Sequence, residues 1–138
     1  NSVIIEFADG TVEIREGGTR AWRNNNPGNL RNTGFSQSAG SIGEAGGFAV
    51  FPSQSSGQNA LVRLLGTKTY QNLTINGTIN RYAPSGENNT LNYQSLIRNM
   101  TGLSGNTSMN TLNSVQINGV ANAIGRVEGW RVGTVRNK

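Results

Sequence analysis

The sequence predicts an α+β fold, mainly α: a helical body with a small irregular β-lobe and an N-terminal β-hairpin. Three observations predict it. The first sixteen residues alternate apolar and polar side chains on either side of Asp9-Gly10, the period of half-buried strands. Residues 17–47 are rich in Gly, Asn and Ser and show little periodicity. Beyond residue 53, apolar side chains recur at helical spacing in four stretches. A chain of 138 residues has the length of a single domain, divided into a hairpin (1–16), an irregular β-lobe (17–52) and a helical body (53–138).

Val3 to Glu16 reads as two strands joined at Asp9-Gly10, a pair that favours a two-residue type I′ turn because both central residues need positive φ. Glu6, Asp9, Glu13 and Glu16 fall here, three of them alternating with apolar residues as solvent-facing positions do. Next comes about thirty residues of irregular chain, a length that is uncommon in a compact domain and usually functional. Within it Asn26-Pro27-Gly28-Asn29 signals a turn: Pro sets φ at one position and Gly accepts positive φ at the next. Phe48-Ala49-Val50-Phe51 is a short apolar strand ended by Pro52. Ser53 or Ser55 can cap a helix over 56–65, carried by Ala60, Leu61, Leu64 and Leu65. A second helix covers 74–82 (Ile75, Ile79, Tyr82) and stops before Pro84. A third covers 87–100, with Leu91, Tyr93, Leu96, Ile97 and Met100 as its stripe. The fourth and most apolar, 112–127, carries Val115, Ile117, Val120, Ala121, Ile124 and Val127.

The chain has no histidine, no cysteine and only seven carboxylates. That excludes a Ser–His–Asp triad, a Cys–His pair, a His-based zinc site and a disulfide scaffold. Zinc amidases and cysteine peptidases go with them. A catalytic acid or base must come from the carboxyls, or from a Tyr or Lys. Lys and Arg number 12, giving a net charge of +5 and a pI near 10.5. These cations are scattered, which suits either a plain basic surface or an anionic polymer such as nucleic acid, cell wall or acidic lipid. No stretch is long and apolar enough to span a membrane. There is no signal peptide, and the chain begins Asn1-Ser2 without Met, which reads as a domain cut from a longer protein.

Four places can carry chemistry. Glu128 ends the last apolar helix and is followed by Gly129-Trp130. A carboxyl at a buried helix end beside an aromatic is partly desolvated and lies at the negative end of the helix dipole, and both raise its pKa. Such a group can donate a proton to a leaving glycosidic oxygen. The competing reading is an ordinary exposed Glu paired with Arg126 or Arg131. The run Trp22-Arg23-Asn24-Asn25-Asn26-Pro27-Gly28-Asn29 offers amide donors and acceptors for sugar hydroxyls and N-acetyl groups, and aromatic faces such as Trp22 suit pyranose rings. The competing reading is a loop whose Asn side chains satisfy its own backbone. Glu44 is either a second carboxylate or a plain loop charge. Glu87, before Asn88-Asn89-Thr90, suits capping or dipole complementation at a helix start.

The order Asn24-Asn25-Asn26-Pro27-Gly28-Asn29-Leu30-Arg31, then Gly47-Phe48-Ala49-Val50-Phe51-Pro52, a helix, Arg81-Tyr82-Ala83-Pro84, Glu87-Asn88-Asn89-Thr90 and Tyr93 resembles a family found with phage virion proteins and bacterial toxin tips. It is also similar to the glucosaminidase and lytic transglycosylase group of lysozyme-like enzymes. Those carry a catalytic Glu-Ser-Gly-Trp helix end first; here Glu128-Gly129-Trp130 comes last, so the chain looks circularly permuted. The likeness covers roughly residues 22–130. Gly129 replaces the Ser after the catalytic Glu, and Pro27 replaces a Phe before Gly. The resemblance implies a lysozyme-like fold that cleaves peptidoglycan glycan strands. Glu128 would be the general acid, Glu44 the candidate second carboxylate, and Tyr82 or Tyr93 the aromatic lining the cleft. Asn25, Asn26, Asn29, Trp22 and Trp130 would bind substrate. If Glu44 reaches the opposite face, the reaction is hydrolysis. With one acid, the muramyl 6-hydroxyl attacks and leaves an anhydro product.

Neither route needs a metal or cofactor. The expected setting is a monomeric antibacterial toxin or phage lysin domain, secreted or delivered to the periplasm within a larger protein and matched by an immunity protein. A non-catalytic cell-wall-binding or virion module is the alternative. A nuclease is disfavoured, because phosphoryl chemistry on metals wants clustered carboxylates and the acids outside the hairpin are far apart; neither nucleic acid nor membrane is an expected partner.

Overall fold

Alternation in the first sixteen residues builds strands β1 (Ser2–Glu6) and β2 (Val12–Glu16), paired antiparallel with Ile4 opposite Ile14. Ile5 points inward and is 1% exposed. The turn differs from expectation. Phe7 N–H donates to Thr11 O, Gly10 N–H donates to Phe7 O, and only Gly10 of the Asp9-Gly10 pair has positive φ (88°). This is a three-residue loop with a bulge, a common alternative to the type I′ turn. The two-residue turn with positive φ at both centres lies instead at Gly46-Gly47 (φ 60° and 89°), joining β3 (Gly43–Ala45) to β4 (Phe48–Val50).

These elements come from a computed structural model that describes residues 1–86 and 88–138. The fold is α+β and mainly α, as the periodicities predict. The described chain forms two compact units, 1–61 with 128–138, and 62–127. Both boundaries fall within helices, so the first unit takes the start of the helical body as well as the hairpin and the irregular lobe.

In the first unit a strand that no sequence signal indicated, β5 (Thr134–Asn137), pairs antiparallel with β2, giving the order β1-β2-β5. All four of its residues are exposed, so it shows no burial pattern. Its hydrogen bonds and the 2.6 Å Arg136–Glu16 ion pair hold it. The irregular lobe contains two short helices, α1 (Arg20–Arg23), capped by the Thr19 side chain, and α2 (Gly34–Ser38), closed by a capping box between Thr33 and Ser36. Helix α3 (Gln54–Leu65) starts at Ser53, whose Oγ accepts from Ser56 N–H at 3.1 Å while Ser56 Oγ accepts from Ser53 N–H. Ile5, Trp22, Leu30, Val50, Phe51 and Leu61 form the core of this unit.

The second unit holds α4 (Lys68–Gln71), α5 (Ile75–Tyr82), α6 (Thr90–Thr101), one turn of 3-10 helix (Met109–Thr111) and most of α7 (Ser114–Glu128). Caps set the helix starts. Thr74 Oγ1 accepts from Gly77 N–H, Asn89 Oδ1 from Asn92 N–H, and Asn113 with Gln116 exchange two 2.9 Å bonds before α7. Helix α6 therefore begins three residues later than the sequence suggested. The role expected of Glu87 at that start lies outside the described residues. Ile75, Ile79, Tyr93, Ile97, Met109, Val120 and Ile124 are core. Leu91 (80% exposed), Met100 and Val115 (78%) are not; each sits at the edge of its helix stripe or in an end turn.

Candidate active site

Glu128 is the last residue of α7 and is half-buried. The chain leaves the helix through Gly129 with φ 99°, a conformation that L side chains rarely adopt. Ser at this φ would be strained, which accounts for Gly at this position. Two residues on, Arg131 is fastened to Thr19. Thr19 N–H donates to Arg131 O at 2.9 Å, and Arg131 N–H donates to Thr19 Oγ1 at 3.1 Å. Thr19 thus caps α1 and pins the segment after Glu128. Its cap position before an Arg-Ala-Trp turn was readable in the sequence; its tie to residue 131 was not.

The Asn-rich loop faces this end of α7. Asn26, fully buried, donates from Nδ2 to Leu30 O and Ala49 O and accepts Leu30 N–H at Oδ1, all at 2.9 Å. Asn25, 3% exposed, donates to Phe51 O at 3.1 Å. These two amides lock the loop to β4 and its extension, which is the self-satisfying use of a polar loop. Asn29 N–H donates to Asn26 O, closing the turn at Pro27-Gly28. The positive φ falls on Asn29 (49°) and Asn25 (50°), not on Gly28 as the turn signal predicted. Asn tolerates that region because its short side chain clashes little there. The Asn29 side chain leaves the loop and donates from Nδ2 to Glu128 Oε1 at 3.0 Å. The first and last pieces of the sequence pattern therefore meet in one hydrogen bond.

The remaining candidates are placed differently. Trp22 is 4% exposed, with the Arg15 guanidinium 4.8 Å from its ring centroid and Arg15 Nη1 donating to its carbonyl at 2.7 Å. It serves as core, not as an open sugar platform. Trp130 is half-buried in the segment after Gly129. Tyr82 ends α5 half-buried, and Tyr93 on α6 is 5% exposed; both belong to the second unit. Glu44 is exposed on β3 and accepts Gly47 N–H at 2.8 Å, bracing the β3–β4 turn. It lines a groove of about 390 Å³ beside Glu6 and Ile42, and the lining does not include Glu128. The Arg20 and Arg31 guanidinium groups both lie over the Phe48 ring, 4.2 and 4.3 Å from its centroid. The sequence offered no signal for this pair of contacts.

Chemically, the site is a half-buried carboxylate at a helix end that accepts a hydrogen bond from the Asn29 amide. It can give and take a proton. Among the described residues no group of three or more His, Cys, Asp or Glu converges to hold a metal, and no helix is long and apolar enough to cross a membrane. No protein-family model and no curated protein matches this chain.

Proposed function

We propose that the chain cleaves peptidoglycan glycan strands with Glu128 as the general acid. The observation that carries this reading is the 3.0 Å bond from Asn29 Nδ2 to Glu128 Oε1. It joins the Asn-rich loop to the Glu-Gly-Trp helix end, the two elements that lysozyme-like enzymes combine. The net charge of +5 favours an anionic wall polymer.

With Glu44 held at its own turn, the one-carboxylate route is better supported than paired-acid hydrolysis. Glu128 donates its proton to the glycosidic oxygen between N-acetylmuramic acid and N-acetylglucosamine, and the C1–O bond breaks. The resulting carboxylate then takes the proton of the muramyl 6-hydroxyl as that oxygen bonds to C1. The product is a 1,6-anhydro end, and the acid is regenerated. A larger protein delivering this domain to the periplasm, as a toxin countered by an immunity protein or as a phage lysin, is the setting we propose.

The test is digestion of purified sacculi, read by mass spectrometry. The expected products carry anhydro ends, and Glu128→Gln abolishes their release while sacculus binding persists. Reducing ends in place of anhydro ends would replace transglycosylation by hydrolysis. Binding without any release by the unmodified protein would make it a cell-wall-binding module and end the enzyme reading.

A further inference from the structure

Asn29 stands out from its neighbours in the loop. Asn26 makes three hydrogen bonds to backbone, whereas Asn29 makes its side-chain bond to Glu128 and leaves Oδ1 buried with no partner among the described residues. Its backbone is left-handed as well (φ 49°). An unpartnered buried acceptor and a left-handed non-glycine residue both work against stability. Combined in one residue, they point to a use beyond holding the loop. Among the described residues two other side chains bury an unpartnered atom, Asn24 and Thr78. Of the three, Asn29 is the one that donates to Glu128.

We propose that Asn29 is the positioning residue of Glu128, fixing which carboxyl oxygen carries the catalytic proton. Nδ2 bears only hydrogens. A proton on Oε1 would point at them, so the amide reserves Oε1 as an acceptor and directs the acidic proton to Oε2. The reversed amide would set Oδ1 against the carboxylate, acceptor facing acceptor. The Asn29 amide thereby leaves Oε2 as the oxygen that carries the proton to the leaving group. This rests on Glu128 being the general acid, and it assigns Asn29 to the acid itself, not to the sugar.

Two variants and one spectroscopic measurement test it. Asn29→Gly keeps a residue that accepts positive φ and removes the amide with its unpartnered oxygen. Asn29→Asp keeps the shape and replaces the donor with an acceptor. On solubilised glycan strands both should lower kcat by roughly ten- to a hundredfold, the scale of a misplaced catalytic group, with KM unchanged. Asn29→Gly should unfold at the same denaturant concentration as the parent or higher. Wild-type kcat in either variant would overturn the proposal and leave Glu128 as the acid. Independently of turnover, the Asn29 side-chain amide signals in two-dimensional NMR should differ between the parent and Glu128→Gln, and their dependence on pH in the parent should be absent from Glu128→Gln. Signals that move equally in both proteins would disprove the pairing whether or not the domain is active. Release of nothing by the wild type would defeat the enzyme reading, and the NMR result would still decide the pairing.

Discussion

Asn29 and Glu128 are 99 residues apart in sequence and joined by one 3.0 Å hydrogen bond. Each partner is held by an arrangement of its own. Asn29 rides on a turn fixed by the Asn26 amide, and Glu128 sits between a capped helix and a glycine in an unusual conformation.

Asn26→Ala removes the bonds to Leu30 N–H and Leu30 O in the loop and to Ala49 O on β4. Leu30 O keeps its bond from Ala49 N–H, so Leu30 N–H and Ala49 O are the groups stranded. Stranding buried backbone groups costs about 1–3 kcal/mol each before relaxation. The expected loss is about 3 kcal/mol, read as a lower urea midpoint at unchanged m-value. A midpoint equal to the parent's would mean that the loop is held by something else.

Gly129→Ser places the Ser of the Glu-Ser-Gly-Trp helix-end pattern after Glu128 and should harm the protein. At φ 99° a side chain costs on the order of 1–3 kcal/mol, a fall of several degrees in thermal midpoint. Gly129→Ala should match it, because the penalty is conformational. A Ser variant as stable as the parent would refute this account of the departure.

Tyr70 is buried, and burial pushes its phenol above the ordinary 10.0, with Arg81 pulling the other way. A raised phenol favours the folded state while it stays neutral. That contribution is complete below pH 10.0 and is lost as pH rises through the folded-state value. Tyr70→Phe should therefore lose less stability than the parent between neutral and strongly alkaline pH, measured by denaturant midpoints. Equal losses would contradict it.

On the helix surfaces, Leu91→Gln and Val115→Gln should change stability by no more than about 0.5 kcal/mol, since both side chains are mostly exposed. Ile97→Ala and Ile124→Ala, fully buried, should each cost about 2–5 kcal/mol. Chemical denaturation separates the two pairs directly.

Those four residues also mark what periodicity can reveal. It located all four longer helices, because a 3.6-residue repeat needs only local sequence. It could not tell Ile97 from Leu91, because which part of a stripe is covered depends on partners distant in the chain. Strand β5 escaped notice for a related reason: its pairing with β2 is non-local and none of its side chains is buried. At the site, the scarcity of acids and the helix-end placement singled out Glu128. The Asn cluster was legible as a feature but not residue by residue. Asn25 and Asn26 turned to the backbone and Asn29 to the carboxylate, and only the turn geometry decides which.

The three-stranded sheet has a mechanical consequence. Strands β1 and β5 both run against β2, with Ser2 opposite Glu16 and Asn137 opposite Glu13. Tension applied at residues 1 and 138 would draw β1 and β5 in opposite directions along β2. Antiparallel hydrogen bonds lie across the strands, so they would be sheared together instead of unzipped singly. Force would pass from β1 through β2 into β5 and bypass residues 17–133. The stretch between the strands, with Asn29 and Glu128 inside it, would stay slack while the ladder bears the pull.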